Sequence, residues 1–133
     1  MAETVLKKAF VSIGGTDVSA FVQSVALNYS ADELDNTTMG GDFKKRLGGL
    51  KDWSVTVTFV QDYATLDPIL FNGVGSLLAF EGRPTNSAVG AGNPKFTGST
   101  LLKEYNPIEG KVGDLAVVSV SMPGSGALTR ATA

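Results

Sequence analysis

The stretch 53-WSVTVTFV-60 carries the clearest structural pattern in the chain. Large apolar side chains occupy every second position, and hydroxyl side chains occupy the positions between them. A period of two is the pattern of a β-strand whose two faces meet different environments. Because burying a large apolar side chain stabilises a fold by about 1.5–3 kcal/mol, we expect the apolar face to point into the core. That face consists of Trp53, Val55, Val57 and Phe59.

A second strand with the same alternation is expected at residues 23–30, where Val25, Leu27 and Tyr29 extend the apolar face. The two strands flank residues 35–51, so we expect an antiparallel hairpin with that stretch as a long arm. The opposite face of the hairpin carries short neutral side chains. We call it the hydroxyl face, and its members are Ser24, Asn28, Ser54, Thr56 and Thr58.

The remaining pattern completes a mainly β chain with one helix. Within residues 62–75 apolar side chains recur at helical spacing, Pro68 suits the first helical turn and Asn72-Gly73 suits the helix end. Gly14-Gly15 is a hairpin turn signal. The predicted fold is one domain over residues 1–133, a β-sandwich or split barrel with a short flanking helix and a long hairpin arm. Further strands are expected at residues 9–13, 76–82, 96–105 and 115–122, followed by a C-terminal arm at residues 123–133.

Composition argues against several classes of function. The chain has 133 residues and a formal net charge of −2, which gives no general attraction to nucleic acid. It has no Cys and no His, so thiolate chemistry is excluded and the commonest general base and metal ligand are missing. No apolar run approaches the roughly 20 residues of a membrane-spanning helix. We therefore expect no enzymatic activity, no cofactor and no membrane partner.

Two local patterns resemble ligand sites but lack the required spacing. The acidic cluster at Asp32, Glu33, Asp35 and Asn36 does not place oxygen ligands and a glycine as an EF-hand loop does. The stretch 110–112 reads Gly-Lys-Val and lacks the hydroxyl residue that a phosphate-binding loop places after its lysine. We expect neither a metal site nor a nucleotide site.

The arm is the unusual part of the chain, since loops of this length are most often functional or disordered. It could hold phosphate, bind nucleic acid or grip another protein, and its cations could also form an ordinary solvated loop tip. The candidate residues of the arm are Asp35, Met39, Gly40, Gly41, Asp42, Phe43, Lys44, Lys45, Arg46, Leu47, Gly48 and Gly49.

The order of these features, together with the closing segment, resembles a known family. A Val-Ser-Val-Ser strand in residues 117–121 is followed by Gly124, Gly126 and Leu128-Thr129-Arg130. With the short first strand, the hairpin arm and the acid–proline helix, this order is similar to that of the major tail tube proteins of long flexible-tailed, siphovirus-type bacteriophages. The resemblance covers most of the chain and rests on pattern.

The resemblance implies a structural virion protein made in the bacterial host cytoplasm. Hexameric rings of the subunit would stack into a tail tube, the conduit for DNA ejection, together with tape-measure, tail-tip and tail-terminator proteins. The hydroxyl face becomes the candidate lumen face, past which DNA moves without specific binding. The arm would be mobile in the monomer and would reach the next ring. Its glycine pairs would act as hinges, and Lys44, Lys45 and Arg46 would meet acids on the neighbour.

Two alternatives remain open at this point. A tail terminator or a secretion-type tube subunit would share the ring architecture but differ in its assembly. A small monomeric β-barrel that binds a ligand would instead place a cavity behind the Trp53 face.

Overall fold

A computed structural model describes residues 8–132 and confirms the expected fold class, a mainly antiparallel β protein with one short helix. One sheet of seven strands has the order β2-β1-β5-β6-β7-β4-β3, and every pairing in it is antiparallel. Among the described residues no helix has the length and apolar character needed to cross a membrane. The elements are β1 Phe10–Ile13, β2 Thr16–Asp17, a 3-10 turn at Ser19–Phe21, β3 Val22–Asp35, β4 Arg46–Val60, α1 Leu66–Gly73, β5 Leu77–Arg83, β6 Lys95–Leu101 and β7 Val117–Ala131.

Strand β7 joins the two halves of the sheet. Its first half, from Val117 to Pro123, pairs with β4, and its second half, from Gly124 to Ala131, pairs with β6. The chain therefore changes partner strand at residues 123–124. The expectation of a C-terminal arm is wrong for residues 123–131, because their backbone groups are used in this pairing. Residue 133 lies outside the described residues.

One hydrophobic core lies between the two halves of the sheet. Strand β4 contributes the four apolar side chains of its inner face, and alternate residues of β7 add to them. Helix α1 closes this core with Leu66 and Leu70, which are both fully buried. The buried apolar side chains are Val11, Ile13, Val18, Trp53, Val55, Val57, Phe59, Leu66, Leu70, Phe80, Leu102, Val118, Val120 and Met122.

Trp53 packs directly against backbone where β6 and β7 pass over it. A Cβ atom added at Gly98 or at Gly124 would overlap the indole ring. The indole Nε1 donates a hydrogen bond of 3.0 Å to the carbonyl oxygen of Gly126. Glycine at residues 98 and 124 thus provides the space that the Trp53 ring fills, and the ring holds β7 close to β4.

Three details differ from the expectations. Tyr29 was expected in the core but is 56% exposed, because β3 is the outermost strand and none of the described elements covers it there. Strand β6 ends at Leu101 rather than at residue 105, because Leu102 turns into the core and donates its backbone N–H to Ser76. Helical spacing was expected as far as residue 75, but α1 ends at Gly73 and Val74 beyond it is exposed.

We predict that Gly124→Ala destabilises the fold. The added methyl group must displace the Trp53 ring, and overpacking of this kind costs about 1–3 kcal/mol. Urea unfolding should show the corresponding fall in the free energy of unfolding. The matched control is Gly92→Ala, where an added Cβ meets nothing within 4 Å. Equal stability of Gly124→Ala and the wild-type protein would show that the Trp53 contact is not tight.

Candidate assembly surfaces

The hydroxyl face is continuous across β3 and β4. In the register of the two strands, Ser24 lies opposite Thr58 and Asn28 lies opposite Ser54. Thr56 sits between them on β4, opposite Ala26. The hairpin therefore brings all five predicted residues of this face together on the side away from the core.

Strand β7 widens this face by two serines that sequence reasoning missed. Ser119 lies opposite Thr58, with 3.2 Å between their hydroxyl oxygens, and Ser121 lies opposite Thr56. The signal was present in the alternation of residues 115–122, but the sequence did not show that this strand pairs with β4. Ser119 and Ser121 therefore belong to the hydroxyl face.

The seven side chains of the hydroxyl face are all neutral. Five of them are exposed, and Ser54 and Thr58 are half-buried. The first charged side chain on the same face of β4 is Asp52, two residues before Ser54 and opposite Ser30. Lys103 and Glu104 of the stretch after β6 lie beside Ser119 and Ser121, where the lysine is next to a carboxylate of opposite charge. With so little net charge, this face lacks most of the counterion-release term that dominates DNA affinity.

The outer edge of β3 is long, with register shifts at residues 22–24 and 31–33 and a regular stretch between them. Within residues 8–132 this strand of 14 residues is the last in the sheet and pairs with β4 alone, so about half of its N–H groups point away from the described sheet. It contains no proline or lysine, the residues that commonly block an edge strand. The opposite edge of the sheet is β2, which has only two residues. The strand β3 is therefore the edge available for pairing with another chain.

The loop at the end of the hairpin is shorter than the arm predicted at residues 35–51. Strands β3 and β4 remain paired as far as Asp35 and Arg46, so residues 46–51 belong to the sheet. Only residues 36–45 form a loop, which we call the arm tip. Its base is closed by hydrogen bonds from Asn36 N to Lys45 O, 3.0 Å, and from Lys45 N to the hydroxyl oxygen of Thr37, 2.8 Å.

One predicted role within the arm is wrong, and a second stays a prediction. Gly48 and Gly49 are not loop hinges, because both lie inside β4. Gly49 sits at a register shift, where an added Cβ would come within 3.0 Å of the Cβ of Asp32. Arg46 was expected to meet an acid on a neighbouring subunit, but its guanidinium pairs with Glu33 of the same hairpin.

The arm exposes large apolar side chains. Leu34 and Leu47 lie directly opposite each other on the paired strands, and they are 53% and 57% exposed. Met39 and Phe43 in the arm tip and Leu50 in β4 are exposed as well. Of these side chains, Leu34 and Leu47 form an adjacent exposed pair, and large exposed apolar patches are typical of interaction surfaces.

A second exposed apolar cluster lies on residues 102–116, which join β6 to β7 and which we call the anchored loop. Its exposed side chains are Ile108, Val112 and Leu115. The backbone beneath them is fixed at Pro107, whose carbonyl oxygen accepts hydrogen bonds from Gln61 Nε2, 3.0 Å, and from the Tyr63 hydroxyl, 2.9 Å.

Tyr105 ties the anchored loop to helix α1. Its hydroxyl donates to Asp67 Oδ1 at 2.6 Å and accepts from Gln61 Nε2 at 3.0 Å. Burial, and then the hydrogen bond to the Asp67 carboxylate, raises the pKa of Tyr105 to about 12. The neutral phenol is the form that holds the loop.

Solved structures share the fold of this chain. A chain of the virion of a native gene transfer agent (GTA) particle matches with a TM-score of 0.66 and 18% identity, over 84% of this chain and 85% of that chain. A chain from the tail of an empty GTA particle with C6 symmetry also has a TM-score of 0.66 and 18% identity, over 85% and 83%. These matches establish a shared fold over most of both chains.

Comparison of sequences gives a different neighbour. No protein-family model matches the chain. Over 97 residues it is 33% identical to the cytochrome c-type biogenesis protein CcmE of Allorhizobium ampelinum. The aligned part spans 65% of this chain and 65% of that relative.

We predict that Tyr105→Phe changes the stability of the protein at alkaline pH. Because the folded pKa of about 12 lies above the ordinary value of 10.0, Tyr105 stabilises the fold fully below pH 10, and this contribution is lost as the pH rises towards 12. Urea unfolding between pH 9 and pH 12 should show a smaller loss for Tyr105→Phe than for the wild-type protein. Tyr29→Phe, which removes an exposed phenol, is the control. Parallel curves for all three proteins would contradict the role of Tyr105.

Proposed function

We propose that this protein is the structural subunit of a phage-type tail tube, which forms hexameric rings that stack. The observation that carries the proposal is the fold shared with a chain from a GTA tail of C6 symmetry, over more than four fifths of both chains. The family resemblance in the sequence supports the same function independently. The subunit would be part of the virion after synthesis in the host cytoplasm.

The β3 edge supplies a means of ring closure. Its free N–H and C=O groups would pair with the adjacent subunit in the ring, so that the sheets of neighbouring copies continue into one another. A contact between unlike surfaces of identical subunits closes into a ring when the rotation between copies is a whole fraction of a turn.

The hydroxyl face would then line the lumen. It lies on β3, β4 and β7, the part of the sheet that ends in the β3 edge, so ring closure through β3 would place the hydroxyl faces of neighbouring subunits side by side. Neutral side chains would let DNA pass during ejection without retaining it.

The arm would join one ring to the next. Its apolar side chains are exposed in the isolated subunit, although burial of each would stabilise a contact by roughly 1.5–3 kcal/mol. Tape-measure, tail-tip and tail-terminator proteins would set the start and the length of the tube, as the family resemblance implies.

Two other functions, ligand binding in a β-barrel and cytochrome biogenesis, receive less support. The ligand-binding barrel needs a cavity behind the Trp53 face, but Trp53 packs there against the backbone of Gly98 and Gly124. The apolar recess beside Val25 and Leu27 holds about 180 Å³, which is less than the roughly 300–1,000 Å³ of typical ligand pockets. A role in cytochrome biogenesis, the process named for the CcmE relative, finds no support in this chain. It has neither His nor Cys, the side chains that most often hold haem iron.

The proposal is tested by negative-stain electron microscopy of the purified protein over a concentration series, with and without tail-tip and tape-measure partners. We expect rings and tubes with a central channel. Single subunits under every condition, including with the partners present, would contradict the proposed function.

A second protein in the same experiment isolates the arm. Residues 37–44 are replaced by a two-residue Asn-Gly turn, which suits the antiparallel strands on either side. We expect this variant to keep the thermal unfolding of the wild-type protein and to form rings but no tubes. Tubes of normal length from this variant would show that the arm tip does not join the rings.

A further inference from the structure

The arm tip and the anchored loop lie at opposite ends of one strand. The arm tip immediately precedes Arg46, the first residue of β4. At the far end of β4, Val60 pairs with Val117, and Gln61 N donates to Ala116 O at 2.9 Å, so the anchored loop meets the strand there. A strand of 15 residues spans about 50 Å at roughly 3.4 Å per residue. The arm tip of a subunit therefore cannot reach its own anchored loop.

These two ends are chemically complementary. The arm tip exposes Met39 and Phe43 and carries two lysines and one aspartate, an excess of one positive charge. The exposed part of the anchored loop, residues 106–115, carries Ile108, Val112 and Leu115 with two acids and one lysine, an excess of one negative charge. Both ends therefore expose apolar side chains, and the net charges of the two ends are opposite in sign.

We propose that the anchored loop is the docking site for the arm tip of a second copy of this chain. The inference rests on the proposed tail-tube function and adds the receiving surface to it. Because the two surfaces are unlike and lie at opposite ends of β4, the contact is head-to-tail. A head-to-tail contact along one direction leaves a free surface at each end, so it extends into a filament rather than closing into a pair.

The anchored loop is a suitable receiving surface because it is already fixed in the single subunit. Tyr105, Gln61 and Tyr63 hold its backbone through the four hydrogen bonds to Asp67, Tyr105 and Pro107 described above. Docking on a preformed surface avoids part of the ordering cost of association. On docking, only the arm tip then has to change its conformation.

Disulfide cross-linking tests this contact without a background, since the natural chain has no cysteine. Met39→Cys and Val112→Cys each replace a fully exposed side chain, so neither should disturb the fold. The two variants are mixed, assembled and oxidised. We expect a covalent dimer when the mixture is oxidised and no covalent dimer when either variant is oxidised alone.

A chain that carries both cysteines should give a ladder of covalent oligomers, because each copy then links to one copy ahead and one behind. The matched control replaces the loop partner by Ala91→Cys, an exposed position between β5 and β6 at the end of β6 remote from the anchored loop. Mixed with Met39→Cys, this control should give no dimer above that of the single variants.

The outcomes separate this inference from the function on which it rests. Tubes that form normally but give no dimer from Met39→Cys with Val112→Cys, nor from a second pair, Phe43→Cys with Ile108→Cys, would overturn the docking site and leave the tail-tube function standing. Failure of the wild-type protein to form rings or tubes under every condition would overturn both.

Discussion

The fold depends on the contact of the Trp53 indole with the backbone at Gly98 and Gly124. At this point β7 leaves its pairing with β4 and takes up its pairing with β6, so both halves of the sheet meet at one side chain. The hydrogen bond from the indole Nε1 to Gly126 fixes the position of β7 just beyond that change. Besides this contact, the β3–β4 hairpin is joined to the rest of the subunit by the β4–β7 ladder and by the other core side chains of β4.

Because the hairpin is fixed in this way, its two faces lie in different environments. Alternation along β4 buries one face under the sheet and leaves the hydroxyl face outside, and β7 continues both faces. The same hairpin extends beyond the core, where its apolar side chains have no cover within the subunit. The exposed β3 edge and the exposed apolar side chains of the arm thus follow from one arrangement of strands.

Sequence patterns predicted the parts of this structure that depend on local alternation. The strand at residues 53–60, the hairpin, the Gly14-Gly15 turn and the helix near Pro68 all follow from neighbouring residues. The errors arose where long-range pairing decides the outcome. Residues 123–131 look like a polar tail, but β6 provides a partner for their backbone, and Gly49 resembles a hinge although it serves close strand contact. Tyr29 follows the apolar period, yet no neighbouring element reaches it. Ser119 and Ser121 could join the hydroxyl face only once β7 was known to pair with β4.

The proposed assembly requires β3 to be an edge strand in the single subunit and a paired strand in the ring. Hydrogen–deuterium exchange of the backbone amides tests it most directly, in dilute protein and in assembled particles. About half of the β3 amides point away from β4, and our account predicts that these exchange quickly when dilute and much more slowly after assembly. The amides of β4 from Ser54 to Val60, where the strand pairs with both β3 and β7, should be protected in both states. Equally fast exchange of the outward β3 amides before and after assembly would contradict the account.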